Sequence, residues 1–221
     1  MILLFSGGLD SFIAYHYLNK PKTLYVNLQH RYAVHEIEKV KELIPDTIID
    51  DRLFLGDWEE KDANIPLRNA FLTMIASNHA DDIVLVVQRG EMEIPDRSPF
   101  FFNNFAEHLS FLHGKRITLT SPFFTMTKTD MVKWYLDGGL DPNILLKTRS
   151  CYSPTDKPCG NCSACFRRWV AFFNNDIHET MEQAIEYFDG LKKYVDKLER
   201  GMYEKRRTDE TLLALRKARI I

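Results

Sequence analysis

The sequence predicts an α/β protein built on a parallel sheet, and three observations carry that reading. Short apolar runs alternate with longer stretches of helical spacing through most of the chain. The first of those runs stops at a Ser-Gly-Gly turn, as a strand does when it hands over to a helix. The 221 residues are 45% hydrophobic and 12% aromatic, enough to bury one sizeable core.

Strand-like runs fall at 2–5, 23–28, 47–49, 83–88 and 116–120. The stretches between them, at 12–18, 34–43, 67–79 and 105–112, have the length and periodicity of crossover helices, which would cover both faces of the sheet. Lys128 is expected to begin a further helix. Near Thr148 the composition changes to cysteines, prolines and Gly160, which predicts a compact metal-bound loop leading into a helix at 163–173. Beyond Asp176 the chain reads as charged amphipathic helices, with Met181, Ile185, Phe188 and Leu191 on one face. The expected organisation is therefore an α/β nucleotide-binding domain over 1–147, a four-cysteine segment and following helix over 148–175, and a helical extension over 176–221.

Bulk properties exclude several classes of function. A formal charge of −2 lacks the footprint of a general polyanion binder, so no strong nucleic-acid signal is present. The basic residues of the extension, Arg200, Lys205, Arg206, Arg207, Arg216, Lys217 and Arg219, are expected to form a solvated helix face. No run reaches the ~20 apolar residues of a membrane span. A cytoplasmic protein is expected, in host cytoplasm if the source is viral, with no membrane partner.

Ser6-Gly7-Gly8-Leu9-Asp10-Ser11 reads as a phosphate cradle. Paired glycines let backbone amides approach an anion, and a helix starting near Leu9 aims its positive end at the same point. The lysine and spacer of a Walker loop are missing, as is the G-x-G-x-x-G spacing of dinucleotide folds. The string instead resembles the SGGxDS signature of PP-loop ATP pyrophosphatases, which cleave ATP between its α and β phosphates. That resemblance implies a Rossmann-like sheet.

Cys151, Cys159, Cys162 and Cys165 supply four soft ligands within one short segment. Tetrahedral zinc is the economical occupant, and four thiolates leave it no open position, so its expected role is structural. An iron–sulfur cluster uses the same ligand type and is not separated from zinc by spacing. Arg167 and Arg168 are expected to offset the thiolate charge rather than point at an anionic ligand.

The order of these two motifs in one small chain resembles the 7-cyano-7-deazaguanine synthase (QueC) family. The likeness runs through Leu28-Gln29-His30-Arg31, Ile65-Pro66-Leu67-Arg68-Asn69, Ile94-Pro95-Asp96, Thr127-Lys128 and Ser150-Cys151-Tyr152 to Cys159-Gly160-Asn161-Cys162-Ser163-Ala164-Cys165-Phe166-Arg167-Arg168. It implies an ATP-dependent carbon–nitrogen ligase that joins ammonia to 7-carboxy-7-deazaguanine and delivers the nitrile through adenylated and amide intermediates. It further implies a homodimer, with ATP and Mg2+ in the site and Zn2+ in the cysteine loop.

Carried over residue by residue, the resemblance implies that Ser6, Gly7, Gly8, Leu9, Asp10, Ser11, Arg68 and Asn69 bind the nucleotide. Asp10, Ser11 and Lys128 would be catalytic, with Asp10 also organising magnesium, and Asp96 would hold the guanine-like edge of the substrate. His30 is left as structural. The segment Ile94-Pro95-Asp96-Arg97-Ser98-Pro99-Phe100-Phe101 departs from the family's Tyr-Pro-Asp-Cys-Arg-Pro-Glu-Phe, and the stretch 88–93 before it is shorter than the family pattern. A ligase that stops at the amide or takes another acid, a tRNA-modifying PP-loop enzyme, and a non-catalytic zinc-stabilised binding module are the alternatives.

Overall fold

The computed structural model describes residues 1–61, 63–155, 157–160, 162–179 and 190–221. Five strands, β1 (Ile2–Leu4), β2 (Lys22–Val26), β3 (Ile48–Asp50), β4 (Asp82–Val84) and β5 (Thr118–Thr120), form one sheet in the order β3-β2-β1-β4-β5. Every pairing is parallel. Successive strands step outward from β1 on one side and then restart on the other, so the order reverses between β1 and β4, the place where open α/β sheets bind ligands.

Side-chain alternation along the strands makes two cores. Leu3, Phe5, Tyr25 and Val84 face one way and pack with α1 (Leu9–Tyr17), α2 (Ala33–Leu43), α5 (Lys128–Asp137) and α6 (Pro142–Lys147). Ile2, Leu4, Leu24, Val26 and Ile83 face the other way, against α3 (Arg68–Ala76) and α4 (Pro99–His113). A third cluster joins Phe166, Trp169 and Val170 of α7 (Ser163–Phe173) to α8 (Leu191–Glu199) and α9 (Lys205–Lys217).

The expected strands are all present; the third is shifted by one residue at the same length and the other four are shorter. The ladder of the fourth ends at Val84, and Leu85 to Gln88 turn toward the fifth, where Leu85 N–H still reaches the Thr120 carbonyl at 3.1 Å. Helix α4 begins six residues before the expected start because Pro99 sits at its first position and Ser98 Oγ accepts the Phe101 N–H at 3.1 Å. The short helix α6 was not expected, although Asp141 followed by Pro142 is a cap-and-start signature. The apolar face expected at Met181, Ile185 and Phe188 lies outside the described residues. Among the described residues no helix is long and apolar enough to cross a membrane.

Of the basic residues assigned to a solvated face, Arg207 is drawn off it, while Arg206 stays exposed. Arg206 pairs with Asp130, and Arg207 lies over the Tyr203 ring at 4.8 Å while donating to the Gly90 carbonyl at 3.0 Å. The reason is that α9 packs back onto the α/β body, whereas Arg200, Lys205, Arg216, Lys217 and Arg219 stay exposed.

Candidate functional site

A cavity of about 240 Å³ opens at the carboxyl ends of β1, β2 and β4. Its floor is the loop between β1 and α1. Gly7 adopts φ +69, and a Cβ there would lie 3.2 Å from Lys39 Cβ and from Val40 N, so the tight turn requires glycine. Ser11 Oγ donates to the Gly8 carbonyl at 3.1 Å and accepts the Ser6 N–H at 3.3 Å, while Ser6 Oγ accepts the Gly8 N–H at 3.4 Å. These bonds hold the loop open around the start of α1, whose first-turn N–H groups have no partner within the helix.

Ser6, Gly8, Leu9, Asp10, Ser11, Arg68, Asn69 and Lys128 all line this cavity, as expected sites of binding or catalysis. Gly7 lies behind the wall, shaping the turn. Asp96 does not line the cavity; its carbonyl accepts the Asn69 amide at 3.2 Å, and its neighbour Arg97 takes the place on the wall.

Charge on the wall is concentrated and paired. Lys128, at the first position of α5, reaches both carboxylate oxygens of Asp10, with Nζ to Oδ2 at 2.5 Å. The helix is positioned by a capping box in which Thr127 and Asp130 each bond the other's backbone N–H. Burial pushes the Lys128 ammonium below its usual range, aided by Arg167 and opposed by Asp10. Glu91 accepts Arg167 at 2.5 Å and Arg97 at 3.3 Å. Burial works against its ionised form, but Arg167, Arg97 and Lys128 outweigh that and hold its carboxyl down to about 2.

The opposite end of the cavity is aromatic. Tyr32 lies against His30 with ring centres 3.9 Å apart, and Tyr152 sits 5.6 Å beyond. Glu36 of α2 accepts the Tyr25 hydroxyl at 3.0 Å and lies 3.3 Å from His30 Nε2. Burial, then the Glu36 charge, raises the Tyr25 and Tyr32 phenols, so both stay neutral donors. His30 therefore belongs to the cavity wall.

Sequence reasoning passed over Glu91, Glu36, Tyr32 and Arg149. A glutamate in an Arg-Gly-Glu loop just past the fourth strand, beside the switch point, was the available signal for the first. Arg167 was expected beside the cysteine cluster, but α7 turns it toward Glu91 and the cavity. Arg168 donates to Glu179, Thr148 Oγ1 and the Leu145 carbonyl instead of facing thiolates.

The sulfurs of Cys151, Cys159, Cys162 and Cys165 all lie within 4.8 Å of one another. Tetrahedral zinc with Zn–S near 2.3 Å places its sulfurs about 3.8 Å apart, so the cluster fits a metal of that size. Cys151 Sγ accepts the N–H groups of Ser153 and Cys159, and Cys162, which caps α7, accepts that of Cys165, as thiolate ligands do. Arg149 ties this segment to the Ser-Gly-Gly loop: its N–H bonds the Gly7 carbonyl at 3.0 Å and its guanidinium bonds the Ser153 and Thr155 carbonyls.

Comparison with known proteins finds relatives that share one name. The chain is 25% identical over 215 residues to the 7-cyano-7-deazaguanine synthase of Pseudoalteromonas atlantica, covering 82% of this chain and 97% of that one. It is 29% identical over 227 residues to the enzyme of the same name from Rickettsia felis, covering 80% and 96%. Over 131 residues it is 32% identical to that of Rickettsia canadensis, covering 53% and 56%. A family model described as queuosine biosynthesis protein QueC matches residues 52–176, more than half of the chain, and the chain therefore belongs to the QueC family.

Proposed function

We propose that this protein is an ATP-dependent carbon–nitrogen ligase that converts 7-carboxy-7-deazaguanine and ammonia to 7-cyano-7-deazaguanine, within queuosine biosynthesis. The observation that carries the reading is the Asp10–Lys128 pair, joined across 118 residues of sequence at the starts of two helices and facing the cavity above the Ser-Gly-Gly loop. The relatives' names support the product, and the family membership supports the pathway.

A carboxylate oxygen is a poor leaving group until it is joined to phosphorus. In the proposed first step that oxygen attacks the α-phosphorus of ATP and the bond to the β-phosphate oxygen breaks, giving an acyl adenylate and pyrophosphate. The N–H groups at the start of α1, with the Ser6 and Ser11 hydroxyls, hold the departing pyrophosphate. Lys128 neutralises the charge that develops there. Asp10 would hold Mg2+, which would screen the phosphate oxygens. Ammonia then attacks the acyl carbon and AMP leaves, giving the amide. The amide oxygen would then attack the α-phosphorus of a second ATP, releasing pyrophosphate, and would depart as part of AMP with loss of two N–H protons, leaving the nitrile. The cysteine cluster would hold Zn2+ as a structural ion and take no part in these steps.

A second reading, a ligase that stops at the amide or takes a related acid, rests on Asp96 lying off the cavity wall while Arg97 faces it. Both readings are tested by mass spectrometry of products formed from ATP, Mg2+, ammonium and 7-carboxy-7-deazaguanine. The nitrile is expected, with about a 10²–10³-fold loss of rate in Lys128→Ala. Accumulated amide would favour the second reading. ATP cleavage unaffected by Lys128→Ala would overturn the assignment of the site.

A further inference from the structure

Helices α8 and α9 lie beyond the residues that the family model matches, yet α9 bears directly on the two segments that frame the Asp10–Lys128 pair. On one side it grips the loop after β4. Arg207 donates from Nη1 to the Gly90 carbonyl at 3.0 Å and from Nη2 to the Tyr194 hydroxyl at 3.1 Å. Glu204 pairs with Arg89 at 2.8 Å and accepts the Arg207 N–H at 3.0 Å, capping α9 in the same contact. Gly90 has φ +84, and a Cβ on it would stand 3.1 Å from Arg207 Cδ, so loop and helix fit only with glycine there. The next residue is Glu91, which holds Arg167 and Arg97 on the cavity wall.

On the other side α9 reaches the start of α5. Glu210 accepts the Thr127 hydroxyl at 2.7 Å, and Arg206 pairs with Asp130, the other half of the Thr127 capping box. Both contacts flank Lys128. One helix thus touches the residue before Glu91 and the residue before Lys128, and neither contact enters the cavity itself.

We propose that residues 204–210 of α9 are a positioning element for the reaction centre, with Arg207 and Glu210 acting through Gly90 and Thr127 to hold Glu91, Arg167 and Lys128 in register with the phosphate loop. The catalytic part of this inference rests on the assignment of Lys128 to ATP cleavage; the mechanical part does not. Displacement of a catalytic group by about 1 Å costs on the order of 10²-fold in rate, so loss of one of two supports is expected to cost about tenfold.

The test uses the full-length protein with Arg207→Gln, Glu210→Ala and Gly90→Ala, the conservative Arg207→Lys, and the exposed Lys217→Gln as control. Backbone amide exchange is measured over 89–91 and 127–130, alongside kcat and KM for cleavage of ATP to AMP and pyrophosphate. Arg207→Gln and Gly90→Ala are expected to speed exchange over 89–91, and Glu210→Ala over 127–130, with Lys217→Gln unchanged. Each of the three should lose about tenfold in kcat while KM for ATP stays within about twofold, and Arg207→Lys should recover part of the loss. Unchanged exchange in both segments would overturn the proposal. So would exchange that rises evenly across the protein with kcat per folded molecule intact, because that is the signature of stability alone. If the parent protein cleaves no ATP, the proposed function falls, and the exchange data still decide whether α9 holds the two segments.

Discussion

The four cysteine sulfurs come from a single segment between Cys151 and Cys165, whereas the charged wall of the cavity is assembled from the β1–α1 loop, the start of α3, the loop after β4 and the helices α5 and α7. The first is a local site: its geometry needs only turns and one helix cap. The second is a long-range site, in which Lys128 meets Asp10 and Arg167 meets Glu91 only because the parallel sheet brings the strand ends to one edge. The two are joined through α7, which begins at the cysteines and carries Arg167 two residues after Cys165, and through Arg149. A local site concentrates its stability in one bound ion, and a distributed one spreads it over pairs that each depend on the whole fold.

The largest expected effect breaks the local site. Structural zinc contributes on the order of 10 kcal/mol where it folds a small module, and a fraction of that, about 3–5 kcal/mol, should be lost in Cys162→Ser because the flanking helix keeps its own packing. Elemental analysis should find the metal gone, and the thermal midpoint should fall toward that of chelator-treated parent protein. A variant that retains stoichiometric metal would show that three sulfurs suffice.

An intermediate effect is expected from the distributed site. Glu91→Gln leaves Arg167 and Arg97 without their counter-charge, at a cost of about 2–4 kcal/mol. The Glu91 carboxyl is held at about 2 against an ordinary 4.5, so its contribution is fully present above pH 4.5 and fades as pH falls through about 2. Melting curves of parent and variant should stay separated by a constant gap near neutral pH and converge between those two values. A gap that widens on acidification would reverse the sign of the assigned interaction.

The smallest effect sharpens the comparison. Thr127→Ala removes the cap of α5 and should cost about 1–2 kcal/mol in chemical denaturation, without releasing metal. Metal loss in this variant would mean that the two sites are coupled more tightly than α7 and Arg149 imply.

What was legible in the sequence follows the same division. The Ser-Gly-Gly string and the cysteine cluster are contiguous in sequence, and the helix at 163–173 was readable to its ends. The parallel sheet was legible in the alternation of apolar runs, but its strand order was not, because alternation does not say which strands neighbour which. Glu91 and the direction of Arg167 were not legible, because a glutamate in a loop and an arginine after a cysteine have many partners available until the fold selects one 76 residues away. The early start of α4 is written in Ser98-Pro99, a capping residue followed by proline at the first helical position. Asp96 shows the limit of transferring a role by motif: the backbone of its turn is engaged by Asn69, while the neighbouring side chain faces the cavity.

Gly7 sets a further condition on how this chain can change over time. The atoms that a side chain at position 7 would strike are Lys39 Cβ, Lys39 C and Val40 N, two of them main chain. A side chain in the way can be trimmed, whereas main chain has to give by a few tenths of an ångström as a whole, and the positive φ penalises residues other than glycine independently. Helix α2, which would have to retreat, also carries Glu36 and with it the tyrosine end of the cavity. Change at position 7 is therefore constrained from two directions, by the backbone of α2 and by its own φ, and a substitution there would disturb both ends of the cavity at once.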